Sequence, residues 1–133
     1  TDRLRFCNAG HPYPLLIAPD GTVSFFKTAD NLPLGVTSDY NYEEQECYFA
    51  PGSQLLLYTD GVSEAQNEQS KFYKIERLLD LVTAHSGLAP QQMVESVIED
   101  VNRFVGNAEQ SDDLTVMSFR LNARRKKKTE GLL

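Results

Sequence analysis

The spacing of apolar residues changes once along this chain, and that change limits the folds open to it. From residue 4 to residue 59 the apolar runs are short and are broken by turn signals, as is typical of β-strands. From residue 72 to residue 105 apolar residues recur at intervals of three and four, as is typical of amphipathic helices. One further apolar run follows. Strands, then two helices, then a closing strand predict an antiparallel α+β layered fold.

The same pattern places the individual elements. Strands are predicted at residues 4–8, 14–18, 23–27, 43–49, 54–59 and 114–121, and helices at residues 72–87 and 90–105. Gly87 is expected to end the first helix in a left-handed conformation, and Pro90 and Gly106 are expected to bound the second. Turns at residues 19–22 and 50–53 predict that each turn joins two antiparallel strands.

Composition narrows the class of protein. A chain of 133 residues, 41% of them hydrophobic, is long enough for one domain with a buried core. Cys7 and Cys47 lie in no CxxC or histidine-rich context, so they are predicted to be reduced, partly buried thiols of a cytoplasmic protein. The longest apolar run, residues 55–58, is far shorter than the roughly 20 residues that a membrane span requires. No membrane span is therefore expected.

Charge is distributed unevenly. Five of the 13 basic residues form the run 124–128, and one of the 19 acidic residues lies beyond residue 123. Residues 1–123 therefore carry eight basic against 18 acidic residues, a formal charge of −10. The basic run lacks interleaved aromatic residues and adjoins an acidic body, which argues against nucleic-acid binding. We expect one domain at residues 1–121 and a solvated basic tail at residues 122–133.

Two aspartate turns are the features that carry chemistry. Asp60-Gly61 follows an apolar strand, and Asp112-Asp113 precedes one. Gly61 is expected to let the chain turn sharply. A carboxylate at a buried strand end is costly to desolvate without a cation or strong donors, so two converging turns predict a site for a hard metal ion. Without the second turn, Asp60-Gly61 would be better explained as a simple turn whose aspartate caps local amides. The adjacent acids Asp112 and Asp113 repel each other, which a divalent cation offsets more readily than a surface amide.

Three other polar residues have simpler interpretations. His11 could bind metal or transfer protons, but its position between Gly10 and Pro12 favours a turn residue whose ring satisfies local backbone groups. His85 is predicted to lie at a helix C-terminus, where a cation suits the dipole. Glu64 could support the Asp60 turn, although a solvated glutamate is the preferred reading.

Four ordered motifs resemble those of bacterial protein phosphatase 2C-like (PPM) serine/threonine phosphatases, most closely the RsbU and stage II sporulation type. The motifs are Asn8-Ala9-Gly10-His11-Pro12, Leu32-Pro33-Leu34-Gly35, Tyr58 to Ala65, and Asp112-Asp113-Leu114-Thr115. The resemblance implies an antiparallel β-sandwich between helical layers, incomplete at the N-terminus. It also implies a binuclear Mn²⁺ or Mg²⁺ centre with Asp60 and Asp112 as ligands and Asp113 alongside, where a metal-activated water attacks phosphorus.

The resemblance implies partners as well: a phosphorylated regulatory protein, such as a sigma-factor regulator, and an upstream sensor or receiver domain. An upstream Gly-Asp motif of the family has no counterpart here, so this chain alone is expected to bind metal weakly or not at all and to be inactive. Ser70 and Lys74 stand where the family tends to have glycines, so that loop is expected to differ in shape. Uncovered apolar surface predicts self-association. The alternative function is a non-catalytic regulatory or protein-binding module.

Overall fold

The computed structural model describes residues 2–123, and the basic run of the predicted tail lies outside them. Six strands and three helices are present in this part of the chain. The strands are β1 (Arg3–Phe6), β2 (Leu15–Ile17), β3 (Val23–Phe25), β4 (Gln45–Tyr48), β5 (Gln54–Tyr58) and β6 (Val116–Arg120). The helices are α1 (Asp60–Ser63), α2 (Ile75–Ala84) and α3 (Pro90–Val105). The predicted α+β class is confirmed.

The strands form two antiparallel sheets. A four-stranded sheet has the order β3-β2-β5-β6, and β1 pairs with β4 in a separate two-stranded sheet. The hairpin predicted between β2 and β3 is confirmed, with Ile17 opposite Val23 and a turn closed by the Gly21 amide on the Ala18 carbonyl. The hairpin predicted between β4 and β5 is wrong. A turn does form there, with the Ser53 amide donating to the Ala50 carbonyl, but it carries the chain from one sheet to the other.

Helices α2 and α3 cover one face of the four-stranded sheet. Alternate residues of β5, such as Leu56 and Tyr58, point toward these helices because successive side chains of a strand face opposite sides. They join one continuous core with the apolar stripes of both helices, whose innermost residues are fully buried: Leu78, Val82, Met93 and Val97. Removing this apolar area from water is the main source of stability for the fold.

The two-stranded sheet lies against the opposite face. Leu4 and Phe6 of β1 share a cavity of about 210 Å³ with Leu55, Leu57 and Phe119 of the larger sheet. The cover is incomplete, since Phe119 is 37% exposed and Met117, on the same face, is 52% exposed. The predicted sandwich is therefore present, whereas helices flank it on one side only within residues 2–123.

Several local predictions are refined. Helix α3 begins at Pro90 and ends before Gly106, which has φ 63°, as expected. Helix α2 begins at Ile75 rather than at Phe72, because residues 72–74 double back toward α1. Gly87 is not left-handed, contrary to prediction. Cys47 is partly buried as expected, but Cys7 is exposed. Within the described part of the chain, no helix has the length and apolarity needed to cross a membrane.

Candidate functional site

The two aspartate turns lie side by side at one end of the four-stranded sheet. Strands β5 and β6 are neighbours, and Tyr58 is opposite Val116 in their register. The pairing extends beyond the strands, since the Thr59 amide donates to the Thr115 carbonyl at 3.1 Å and the Thr115 amide donates to Thr59 Oγ1 at 3.2 Å. Residues more than 50 positions apart in sequence are thus brought together, as the sequence analysis expected.

Gly61 lies at the point of closest approach between these turns. A Cβ at this position would lie 2.2 Å from the Asp113 carbonyl oxygen and 2.9 Å from its carbon, so no larger residue fits without movement of the backbone. Gly61 is helical and buried within α1, and its φ is not positive. The prediction that Gly61 lets the chain turn sharply was therefore wrong. The lack of a side chain at Gly61 instead leaves space for the neighbouring Asp112–Asp113 turn.

The aspartate side chains themselves are exposed. Asp60 begins α1, and Asp112 and Asp113 lie in the loop before β6. The expected desolvation cost at a buried strand end is therefore absent, and only the backbone of the turns is packed. Asp112 Oδ1 accepts the Asp113 amide at 2.7 Å, and Gln110 Nε2 donates to the Asp112 carbonyl, which orders this loop locally.

An open cleft of about 660 Å³ adjoins Asp60. The cleft is lined by Ala9, Gly10, His11, Pro12, Tyr13, Asp30, Thr59 and Asp60. Most of the Asn8-to-Pro12 motif therefore lies close to the end of β5. Sequence reasoning missed Asp30, which lies in a loop without hydrophobic periodicity. Its Oδ1 accepts the Tyr13 hydroxyl at 2.7 Å, and this bond raises the pKa of Tyr13. The cleft thus carries a second carboxylate beside the predicted ligand.

The wall of the cleft is ordered by two asparagines. Asn8 accepts the His11 amide at 2.7 Å and donates to the His11 carbonyl at 2.8 Å. Asn31, which is 9% exposed, donates to the Asn8 carbonyl and accepts the Glu43 amide. Gly10 also packs on Pro33, whose Cγ lies 2.6 Å from the position of an added Cβ. Two of the motifs found in the sequence therefore form one contiguous support for this side of the cleft.

The histidines occupy the structural positions expected of them. His11 Nδ1 donates to the Pro12 carbonyl at 2.7 Å, because that carbonyl can only accept. His85 follows α2 directly, and its Nδ1 donates to the Leu81 carbonyl at 2.9 Å. Glu64 is exposed at the end of α1, in agreement with the solvated reading.

Ser70 and Lys74 adopt φ values of 56° and 68°, the region that favours glycine. The expectation that this loop differs in shape from that of the family stays a prediction. The conformation of Lys74, with ψ 153°, is one that residues with a side chain rarely adopt. The loop after α1 is therefore held in place against local strain.

The donor atoms at this end of the sheet are oxygens, which hard cations such as Mg²⁺ and Mn²⁺ prefer. The exposed carboxylates of Asp60 and Asp112 on adjoining turns fit part of such a site. Six-coordination requires further ligands, and within residues 2–123 no group of three or more His, Cys, Asp or Glu side chains is arranged to hold a metal. Water or other protein groups would have to supply the remainder.

Solved structures with this arrangement of sheets and helices include two phosphatase domains. The SiaA-PP2C domain of Pseudomonas aeruginosa has a TM-score of 0.72 and 24% identity, over 91% of this chain and 47% of that one. The Mn-presoaked phosphatase domain of the cell fate determinant SpoIIE from Bacillus subtilis has a TM-score of 0.62 and 19% identity, over 94% and 53%. The chain has the PP2C phosphatase fold.

Sequence comparison is more specific. Residues 1–122 match the family described as stage II sporulation protein E (SpoIIE), and the chain belongs to that family. It is 24% identical over 115 residues to phosphoserine phosphatase RsbU of Bacillus subtilis (strain 168), a match that covers 86% of this chain and 34% of RsbU. The chain thus spans about a third of RsbU and about half of each phosphatase-domain chain.

Proposed function

We propose that this chain is the C-terminal portion of a catalytic domain that hydrolyses phosphoserine or phosphothreonine on a regulatory protein. Membership of the SpoIIE family supports the reaction class, and RsbU, a relative, is a phosphoserine phosphatase. The observation that carries the proposal is the contact between Gly61 and the Asp113 carbonyl, which sets two aspartate turns against each other beside an open cleft.

In this proposal Asp60 and Asp112 are ligands of Mn²⁺ or Mg²⁺, with Asp113 alongside and Gly61 as the adjoining close contact. A bound divalent cation would lower the pKa of a coordinated water and neutralise charge on the phosphate. The chain's own residues hold Asp60 at the edge of the cleft and Asp112 on the adjoining turn, and the cleft is large enough to admit a phosphorylated side chain. No serine or cysteine nucleophile is required.

The substrate is proposed to be a regulator of a sigma factor, and an upstream sensor or receiver domain is proposed to control the activity. Self-association through the incompletely covered sheet face belongs to the same proposal. Two carboxylates neutralise little of the charge of two divalent ions, so the isolated chain is expected to be inactive. The same shortage favours a second candidate function, a binding module that retains the fold without turnover.

Manganese titration tests the proposed site directly. We expect Mn²⁺ to broaden the backbone amide resonances of residues 59–61 and 111–114, because the ion is paramagnetic and would lie next to both turns. Asp60→Asn or Asp112→Asn should weaken this binding about tenfold or more. Asp39→Asn is the matched control, since Asp39 is an exposed acid in a loop whose one side-chain hydrogen bond within residues 2–123 comes from Ser38.

Activity requires a longer protein. With the preceding native segment restored, we expect manganese-dependent hydrolysis of a phosphoserine peptide that either substitution abolishes. An extended protein that folds and binds Mn²⁺ yet never hydrolyses the peptide would favour the binding module. Equal broadening in all three variants would remove both aspartates from the metal site.

A further inference from the structure

A charged side-chain network joins α2 and α3 close to the loop that follows α1. Asp100 on α3 accepts the Tyr73 hydroxyl at 2.7 Å and two donors of Arg77, Nε at 2.9 Å and Nη2 at 3.0 Å. The Arg77 guanidinium lies over the rings of Tyr73 and Phe104, with centroid distances of 5.2 and 5.0 Å. Asp100 is 9% exposed and Tyr73 2% exposed, so these two residues are buried, whereas the Arg77 side chain is 41% exposed.

The network is ionised under ordinary conditions. Hydrogen bonds from Arg77 lower the pKa of Asp100 below its usual value, and Arg103 adds a weaker contact at 3.8 Å. Burial, together with the bond to Asp100, raises the pKa of Tyr73, which therefore keeps its proton and remains a donor. Asp100 thus acts as an acceptor that fixes the Tyr73 ring in one orientation.

Tyr73 connects this network to α1 through its backbone. The Tyr73 amide donates to the Ala65 carbonyl at 2.8 Å, and the next amide, of Lys74, donates to the Ser63 carbonyl at 2.8 Å. Ser63 is the last residue of α1, and Ala65 lies two residues beyond it. Tyr73 is therefore hydrogen-bonded to α3 through its side chain and to the end of the α1 segment through its backbone.

The backbone of Lys74, the residue after Tyr73, is strained. Lys74 is held at φ 68° and ψ 153°, a conformation that persists only where the surrounding structure imposes it. Lys74 lies between the hydrogen-bonded amides of Tyr73 and Lys74 on one side and the start of α2 at Ile75 on the other. If Tyr73 were released, the strained segment could relax and α1 would lose its support on this side.

The other side of α1 is the candidate site. Helix α1 begins with Asp60, and Gly61 is in close contact with the Asp113 carbonyl. We propose that Asp100 and Tyr73 are positioning residues. They hold α1 in contact with the Asp112–Asp113 turn and so set the distance between the carboxylates of Asp60 and Asp112, the two predicted metal ligands. The functional part of this inference rests on the metal site proposed above, whereas the mechanical part does not.

Hydrogen exchange of the folded protein tests the mechanical part. Tyr73→Phe keeps the ring and removes the hydroxyl, and Asp100→Asn keeps the shape and removes the charge. We expect the amides of Val62 in α1 and of Glu64 and Ala65 just after it to exchange about tenfold faster in both variants, because local opening becomes easier. Ser118→Ala is the control: it removes a partly buried hydroxyl that donates to the Leu55 carbonyl and accepts from Gln54 in the β5–β6 pair, and that has no hydrogen bond to this network within residues 2–123. Unchanged α1 exchange relative to that control would overturn the inference.

Rescue and metal binding complete the test. Lys74→Gly should restore much of the lost protection in the Tyr73→Phe background, because glycine adopts this backbone conformation without strain. The dissociation constant for Mn²⁺ should rise several-fold in Tyr73→Phe and stay unchanged in Ser118→Ala. Faster α1 exchange with unaltered Mn²⁺ affinity would refute the positioning role. Faster exchange in a protein that binds no Mn²⁺ even as wild type with the preceding native segment restored would instead refute the proposed function and leave the mechanical role standing.

Discussion

The two faces of the four-stranded sheet differ in how completely they are covered. On the helix side, Leu56 of β5 and Leu78 of α2 have no exposed surface. On the sandwich side, the neighbouring Leu57 is only partly buried, Met117 is 52% exposed, and a cavity of about 210 Å³ separates the sheets. Within residues 2–123 the helix side of the sheet is closed off from solvent, whereas the sandwich side is only partly covered. Apolar burial on the helix side should therefore contribute most of the free energy of folding. The same side also supports the candidate site.

Truncation of adjacent leucines provides the largest test of this difference. Leu56→Ala should lower the free energy of unfolding by about 3–4 kcal/mol, because it leaves a cavity in a closed core. Leu57→Ala should cost only about 1–2 kcal/mol, because that side chain loses less buried area. Urea denaturation measures both. Equal losses would mean that the two faces are equally well packed.

A methyl group at the end of the sheet tests how rigidly the two turns are held. Gly61→Ala should lower the free energy of unfolding by about 1–3 kcal/mol, since its Cβ would overlap the Asp113 carbonyl. It should also shift the amide resonances of residues 112–115. Gly87→Ala is the control, because no atom of the described residues lies within 4 Å of its added Cβ and its φ is not positive. A harmless Gly61→Ala would show that the turns move apart easily.

The pH dependence of stability tests the charged part of the helix side and should show the smallest effect. Folding lowers the pKa of Asp100, so the stability it contributes is complete above its ordinary pKa of 3.8 and is lost as pH falls through the lower folded-state value. Asp100→Asn should cost roughly 1–2 kcal/mol at pH 7, a figure discounted because the Arg77 side chain is 41% exposed.

The variant and the wild type should then converge in stability as the pH is lowered below the ordinary pKa of the carboxyl. Denaturation curves recorded from pH 7 to about pH 2.5 measure this convergence. A constant difference across the whole range would show that the variant acts through packing rather than through the charge of Asp100.

Elements with strong local signals could be predicted from the sequence. Helix α3 has a proline at its first position, a glycine after its last and an apolar stripe between them, and all three features are where they were expected. The turn at residues 19–22 was equally well marked. Such signals involve only a few neighbouring residues, so they do not depend on how the rest of the chain folds.

Strand pairing and the make-up of the site could not be predicted in the same way. Turn residues at 50–53 gave no indication that β4 pairs with β1, because that choice depends on which apolar faces meet in space. Asp30 carried no pattern that would place it beside Asp60. The need for a glycine at position 61 arises from the Asp113 carbonyl, a neighbour more than 50 residues away in sequence.

The amino-acid sequence by itself determined the order of the six strands and the two longer helices, the four motifs and the two acidic turns, because these depend on residue type and on short spacing. Only the tertiary structure decided which strands are neighbours, that the carboxylates of the turns stay exposed while their backbones pack together, and that Asp100 reaches α1 through Tyr73. Those outcomes depend on distances between residues far apart in the chain, and such distances are set by how the apolar faces of the sheets and helices cover one another.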